Sequence, residues 1–175
     1  MRRLGMVQVY TGNGKGKTTA ALGLALRAVG HGWRVVVFQF LKGERTTGEL
    51  AAARRLAPDL VIIPCGTGEF IIDRPPTATE VALAREGLAR ARRVLEGGEV
   101  EMVVLDEVAA AVNLGLLEEE AVLAAINSRA PEVEVVLTGR SMPAGLLAVA
   151  DLISEIGNLR HPFQRGLAAR EGIDY

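Results

Sequence analysis

The stretch Gly12-Asn13-Gly14-Lys15-Gly16-Lys17-Thr18-Thr19 decides the fold of this chain. It follows an apolar run of strand length, residues 6–10, and leads into a run of small, helix-forming residues that begins at Ala20. Glycines let successive backbone N–H groups converge on anionic oxygens, and the following helix adds the positive end of its dipole. Lys17 contributes a point charge, and Thr18 offers a hydroxyl to Mg²⁺. The pattern predicts a phosphate-binding loop whose ligand is a nucleoside triphosphate.

The spacing within this loop departs from the usual pattern in one respect. That pattern places a glycine five positions before the glycine of Gly-Lys-Ser/Thr. Here Thr11 stands at that position relative to Gly16, and Gly12 comes one residue late. The alternative is a glycine-rich turn with a chance Gly-Lys-Thr sequence, but the strand before it and the helix after it favour phosphate binding. The shortened loop indicates that the phosphates sit differently from those of an ordinary ATPase.

Length and composition predict a single domain, residues 1–175, with one core. Because 20 Lys and Arg residues face 21 Asp and Glu residues, there is no global basic field to hold nucleic acid or an anionic membrane. We expect no signal peptide and no membrane span, which makes the cytoplasm the default location. The single cysteine, Cys65, excludes a disulfide framework and is predicted to be a small buried residue.

Apolar runs of strand length recur between helical segments, at residues 6–10, 34–40, 60–63, 102–105, 133–137 and 152–156. Their continuous β-branched character, without polar alternation, is typical of strands buried on both faces. Strands that alternate with helices predict an α/β fold with a doubly wound, mostly parallel sheet.

Two helices have recognisable ends. Residues 78–96 repeat apolar side chains at helical spacing, with Thr77 and Glu80 spaced as a capping box and Gly97 as the stop signal. Residues 117–130 form the second predicted helix, which starts in an acidic run suited to a helix N-terminus.

Two carboxylates, Asp106 and Glu107, follow the buried strand 102–105. Open α/β sheets bind ligands at the carboxyl ends of their strands, so Asp106 is predicted to hold Mg²⁺ opposite Thr18. The alternative is an acidic pair at the surface. Glu107 stands where many ATPases keep a glutamate that activates water, and whether it does so here decides the function. Arg140, after the next strand, either clamps the nucleotide or is a solvated arginine following a turn.

Six collinear segments carry a family resemblance: residues 10–20, 27–32, 39–43, 103–107, 137–140 and 172–175. On these segments the chain resembles the P-loop family of ATP:corrinoid adenosyltransferases. Enzymes of that family transfer the 5′-deoxyadenosyl group of ATP to the cobalt of cobalamin precursors. The resemblance implies a RecA-like P-loop nucleotide-binding domain, and the shortened loop is this family's own version.

The resemblance also implies roles for individual positions. The phosphate-binding residues would be Gly12, Asn13, Gly14, Lys15, Gly16, Lys17, Thr18 and Thr19. Lys17, Arg27 and Glu107 would be catalytic, and Arg140 would be a further nucleotide-binding group. Mg²⁺ (or Mn²⁺) would be held by Thr18 and Asp106. The implied substrates are ATP and a corrinoid; a flavoprotein reductant and a homodimeric assembly are further expectations.

Phe70 is expected to contact the corrinoid, from a loop that spans residues 66–72 beside the site. The alternative for Phe70 is a plug in the core. Two departures from better-known members affect this region. Those members carry an N-terminal extension that folds over the site, whereas this sequence begins close to its first strand. They also have a tryptophan shortly after the phenylalanine, where this chain has Ile71 and Ile72.

Two other classes of protein fit the same loop. A RecA-like ATPase or small-molecule kinase would release orthophosphate or ADP, and a nucleotide-binding regulator would bind ATP without turnover. Adenosyl transfer needs no general base, which agrees with the two histidines, His31 and His161, being structural.

Overall fold

The computed structural model describes residues 4–43, 47–162 and 166–173. In these residues the strands are β1 Val7–Thr11, β2 Val35–Phe40, β3 Leu60–Cys65, β4 Met102–Asp106, β5 Glu134–Thr138 and β6 Leu152–Glu155. The helices are α1 Lys17–Val29, α2 Gly48–Leu56, α3 Ala78–Gly97, α4 Val108–Asn113, α5 Glu119–Asn127 and α6 Ala144–Ala148. The alternation of strands and helices confirms the predicted α/β class.

All the strands pair in parallel, in one sheet of order β3-β2-β4-β5-β1-β6. The phosphate-binding loop follows β1, and the acidic pair begins at the end of β4. Strand β5 lies between these two strands, with Val9 opposite Leu137 and Leu137 opposite Leu105. Because parallel strands end at the same side of a sheet, residues that follow different strands meet there. We call this side the carboxyl edge.

Helices cover both faces of the sheet. Ala21, Ala25 and Ala28 of α1 are buried against one face, in a cluster with Val104 and Val136 of the central strands. The larger cluster, on the other face, contains residues of α3, α4, α5 and α6 together with Phe38 and Phe40. Alanines at helical spacing let α1 approach the sheet closely, which fixes the position of the loop at its start.

The predicted helix ends need two corrections. Helix α3 ends one residue later than predicted, because Gly98 and not Gly97 adopts the left-handed conformation, with φ 61°. Helix α5 covers only Glu119–Asn127, because Leu116 and Leu117 are buried in a turn whose N–H groups bond to the carbonyl of Ala111.

Cys65 is buried as predicted, and burial raises the pKa of its thiol to about 11.

The predicted capping box is present at the start of α3. The Thr77 hydroxyl accepts a hydrogen bond from the Glu80 N–H, and the Glu80 carboxylate accepts one from the Thr77 N–H at 2.7 Å. Arg74 donates to both oxygens of the same carboxylate, at 2.9 and 2.7 Å. The Arg74 guanidinium, followed by the Thr77 backbone, lowers the pKa of Glu80 to about 2. These bonds fasten the loop that carries Phe70 to the helix that follows it.

We predict that Glu80→Gln lowers the melting temperature at pH 7, because the amide loses the charge that pairs with Arg74. The folded-state pKa, about 2, lies below the ordinary glutamate value of 4.5. The stabilisation is therefore fully present above about pH 4.5 and is lost as the pH falls through about 2. Thermal denaturation across this range should show the difference between variant and parent shrinking as the pH decreases.

Glu96→Gln is the matched control, since it removes an exposed carboxylate paired with Arg92 at the other end of the same helix. Exposed pairs contribute little, so a smaller effect is expected. Equal melting temperatures for Glu80→Gln and the parent at pH 7 would contradict the prediction.

Candidate active site

The phosphate-binding loop joins β1 to α1 in a conformation that needs glycine. Gly12 and Gly16 have φ values of 96° and 121°, a region that other residues rarely adopt. At Gly14 a Cβ would lie 2.4 Å from the carbonyl oxygen of Gly157, on the segment after β6. Helix α1 begins at Lys17 without a side-chain cap and without an acidic residue in its first turn. Its N-terminal N–H groups therefore suit a bound anion.

Lys17 is buried within the loop. Its ammonium donates hydrogen bonds to the carbonyls of Gly12 and Gly14, at 2.9 and 2.7 Å. Burial lowers the pKa of Lys17, and the negative charge of Glu107 opposes that shift. The Lys17 ammonium and the N-terminus of α1 therefore both attract a bound anion to the same point.

Asp106 accepts hydrogen bonds that connect the start of α1 to the neighbouring strands of the sheet. Its Oδ1 accepts hydrogen bonds from the hydroxyls of Thr18, at 2.8 Å, and Thr138, at 2.7 Å. Its Oδ2 accepts one from the Gln39 amide at 3.1 Å. The residue is 1% exposed. The structure thus brings Thr18 and Asp106, the two predicted metal ligands, into direct contact.

Thr138 is a site residue that sequence reasoning missed. It ends β5, and its hydroxyl accepts a hydrogen bond from the Glu107 N–H at 2.8 Å while donating to Asp106. A single side chain therefore bonds to the Asp106 carboxylate and to the backbone of Glu107. The available signal was a hydroxyl at the end of a buried strand, directly before Gly139 and Arg140.

Glu107 immediately precedes α4 and has a left-handed backbone, φ 58°, which is uncommon for a residue with a side chain. Burial, and then the charge of Asp106, raise the pKa of Glu107, whereas Lys17 and other cations oppose this shift. Backbone strain of this kind concentrates at functional sites. The loop, Glu107 and the exposed Arg140 line the same cavity.

That cavity has a volume of about 770 Å³. Its lining comes from the phosphate-binding loop and from residues of the segments 161–162 and 167–173. The Lys15 ammonium donates to the Ile173 carbonyl at 3.1 Å. Phe70 also lines the cavity and is 86% exposed, so the alternative in which it plugs the core is wrong.

Some of the predicted residues do not line this cavity. Gly12 and Asn13 belong to the loop but do not line the cavity. Arg27 lies exposed in the last turn of α1. At 1.5 Å per residue it is about 15 Å along the helix from Lys17, so the structure does not bring it to the loop. Asp174 and Tyr175, which contributed to the resemblance, lie outside the described residues.

In the described part of the chain, no helix is both long and apolar enough to cross a membrane.

The arrangement at the carboxyl edge defines a class of protein. A glycine-rich loop between a buried parallel strand and a helix, with a strand-end aspartate bonded to the helix threonine, is the site of a P-loop nucleotide-binding protein. The fold agrees, since the chain superimposes on the flagellar accessory protein FlaH from Methanocaldococcus jannaschii with a TM-score of 0.60. That likeness covers 87% of this chain and 71% of FlaH at 12% identity, and it concerns the fold alone.

Comparison with known sequences identifies the family. Residues 3–175 match the family model described as ATP:corrinoid adenosyltransferase BtuR/CobO/CobP. The chain belongs to this family. It is 40% identical over 172 residues to corrinoid adenosyltransferase CobA of Salmonella typhimurium, covering 98% of this chain and 86% of that protein. The corrinoid adenosyltransferases of Escherichia coli K12 and Pseudomonas aeruginosa are 39% and 37% identical, over 98% of this chain and 86% and 84% of their own lengths.

We predict that Thr138→Val destabilises the protein by about 1–3 kcal/mol, because it removes one of the two hydrogen bonds to Asp106 Oδ1 and leaves the Glu107 N–H without its partner. Misplacement of Asp106 should also weaken ATP binding. Thr138→Ser retains the hydroxyl and is the matched control. Urea unfolding and calorimetric titration with ATP measure the two effects. If the valine and serine variants behave alike in both measurements, the hydroxyl does not have this role.

Proposed function

We propose that this chain transfers the 5′-deoxyadenosyl group of ATP to the Co(I) centre of a corrinoid and releases triphosphate. Its family membership over nearly the whole sequence carries the proposal. The geometry supports it, because the phosphate-binding loop opens into a cavity that an exposed phenylalanine also lines. The cavity therefore offers charged groups to a nucleotide and an apolar side chain to a second substrate.

The reaction makes few demands on acid–base chemistry. The Co(I) electron pair attacks C5′ of the ribose, a Co–C bond forms, and the C5′–O bond breaks with its electron pair leaving on triphosphate. Because no proton moves at C5′, no general base is required. The protein has to stabilise the leaving triphosphate and align C5′ with cobalt. The loop N–H groups and Lys17 supply positive charge where the triphosphate would lie.

The donor atoms present suit Mg²⁺ (or Mn²⁺). Thr18 and Asp106 would hold the cation through a hydroxyl and a carboxylate, the hard oxygen ligands that it prefers. Among the described residues no cluster of three or more His, Cys, Asp or Glu could hold a metal by itself. Phosphate oxygens and water would complete the coordination, and the bound cation would neutralise phosphate charge.

We assign Glu107 a role as a charge and hydrogen-bond partner in place of the water-activating role of ATPases. Adenosyl transfer succeeds only when water is kept from C5′ and from the phosphates. Burial raises the pKa of Glu107, and its backbone is fixed through Thr138. The negative charge of Glu107 opposes the effect of burial on the pKa of Lys17, so the carboxylate can act as an electrostatic partner of this lysine.

Several finer expectations remain predictions. They are a homodimeric assembly, a flavoprotein as the source of electrons for cobalt, a cytoplasmic location, and a nucleotide-binding role for Arg140, which lies exposed beside the cavity.

A product assay tests the proposed function. With ATP, Mg²⁺ and reduced corrinoid, we expect adenosylcorrinoid and triphosphate in equal amounts, and neither product without corrinoid. Lys17→Ala should abolish both products, since the carbonyls of Gly12 and Gly14 hold the Lys17 ammonium within the loop, whereas those of Lys15 and Lys42 bond to Ile173 and Glu49. Its melting temperature should stay close to that of the parent. Stoichiometric ADP or orthophosphate would favour a kinase or an ATPase.

We predict that Phe70→Ala slows adenosylation several-fold when the corrinoid is supplied oxidised, with its lower ligand bound, together with a chemical reductant. Cobalt is easier to reduce once that ligand is displaced, and an apolar wedge displaces it without offering a donor of its own. The KM for ATP and the melting temperature should not change, because Phe70 is exposed. Turnover is followed by the absorbance change of the corrinoid.

Ile72→Ala is the matched control, because Ile72 is 67% exposed on the same loop but does not line the cavity. It should leave the rate of adenosylation unchanged. Equal rates for Phe70→Ala and the parent would exclude a role for Phe70 in displacing the lower ligand.

A further inference from the structure

A second lysine approaches the phosphate site from the far side of Asp106. Lys42 follows β2, which pairs with β4 on the side away from β5 and β1. Its ammonium lies 3.9 Å from Asp106 Oδ2, whereas the Thr18 hydroxyl bonds to Oδ1. Lys42 lines the same cavity as the phosphate-binding loop. Asp106 thus separates two lysines, Lys17 and Lys42, that reach the cavity from different strands.

The backbone around Lys42 is held in place. Leu41 has a φ of 71°, a left-handed conformation that is unusual for a bulky residue. The N–H groups of Gly66 and Gly68 donate to the carbonyls of Lys42 and Leu41, at 2.9 and 3.2 Å. A Cβ at Gly43 would lie 2.4 Å from the Thr67 carbonyl oxygen, so the two segments are in close contact. Strain that is retained in this way is typical of functional positions.

Lys42 has carboxylates as its neighbours. Its ammonium lies 2.8 Å from Glu49 Oε1, and the Gln39 amide donates to the same oxygen at 3.4 Å. Burial raises the pKa of Glu49, but hydrogen bonds from Lys42 and the backbone outweigh burial, so the pKa is lowered overall. Glu49 is therefore a charged counter-ion for Lys42. The Gln39 Oε1 atom is buried without a hydrogen-bond partner in the described structure.

We propose that Lys42 binds the triphosphate chain from the side opposite Lys17, and that Glu49 is the counter-ion which a bound phosphate displaces. The inference rests on the proposed function, in which triphosphate is the leaving group. Triphosphate carries several negative charges, and cations on both sides stabilise the charge that develops as the C5′–O bond breaks. Lys42 is then a substrate-contacting residue, and Glu49 is a positioning residue that acts through it.

The test is calorimetric titration with inorganic triphosphate in the presence of Mg²⁺. Lys42→Gln should weaken binding by about 10- to 100-fold, the loss expected for one hydrogen bond between charged groups. Glu49→Gln should leave binding equal or several-fold tighter, because the competing carboxylate is gone. Removing either member of a merely structural ion pair would instead weaken binding in both variants. The double variant should bind as weakly as Lys42→Gln alone.

Two further variants keep the test decisive. Lys42→Arg retains the charge and should bind triphosphate within a few-fold of the parent, so a folding defect of Lys42→Gln would not end the test. Arg92→Gln removes an arginine from an exposed ion pair on α3 and should not alter binding. Unchanged triphosphate affinity in Lys42→Gln, with a raised KM for corrinoid alone, would overturn the inference and assign Lys42 to the other substrate.

Triphosphate binding requires neither corrinoid nor turnover. A parent protein that binds triphosphate through Lys42 but forms no adenosylcorrinoid would therefore contradict the proposed function and leave this inference standing. A parent protein that forms adenosylcorrinoid while Lys42→Gln and Glu49→Gln both bind triphosphate normally would support the proposed function and contradict this inference.

Discussion

The buried carboxylate of Asp106 is the constraint on which the rest of the site depends. A charge removed from water is costly unless several hydrogen bonds compensate it. Thr18 from α1, Thr138 from β5 and Gln39 from β2 supply these bonds. The hydrogen bonds to this one carboxylate therefore fix the position of α1 relative to the three neighbouring strands β2, β4 and β5. The phosphate-binding loop is held in register with the sheet for the same reason.

The parallel sheet, the loop and the acidic pair could be predicted from the sequence, because each is a local pattern with its own physical cause. Thr138 and Lys42 could not be placed in the same way. Their roles depend on β5 lying between β1 and β4 and on β2 lying beyond β4. Apolar runs show that strands are buried but contain little information about which strands are neighbours. A polar residue at a strand end acquires a role only when that order is known.

Phe70 and Arg27 show the same limit for single residues. An aromatic residue between glycines and prolines is compatible with either a core position or an exposed one, and only the path of the loop decides between them. Arg27 matched the family segment that follows the loop, but it lies in the last turn of α1, about 15 Å along the helix from Lys17. A sequence match preserves order along the chain and says little about distance in space.

The packing of Gly14 against the segment after β6 has a consequence for biosynthesis. The Gly14 N–H donates to the Ile156 carbonyl at 2.7 Å, and the Ile156 N–H donates to the Thr11 carbonyl at 2.9 Å. The loop therefore takes its shape from backbone that the ribosome adds more than a hundred residues later. A nascent chain can acquire most of its sheet before these bonds form. The nucleotide site, although it begins near the N-terminus of the sequence, is therefore completed only after the segment that follows β6 has joined the sheet.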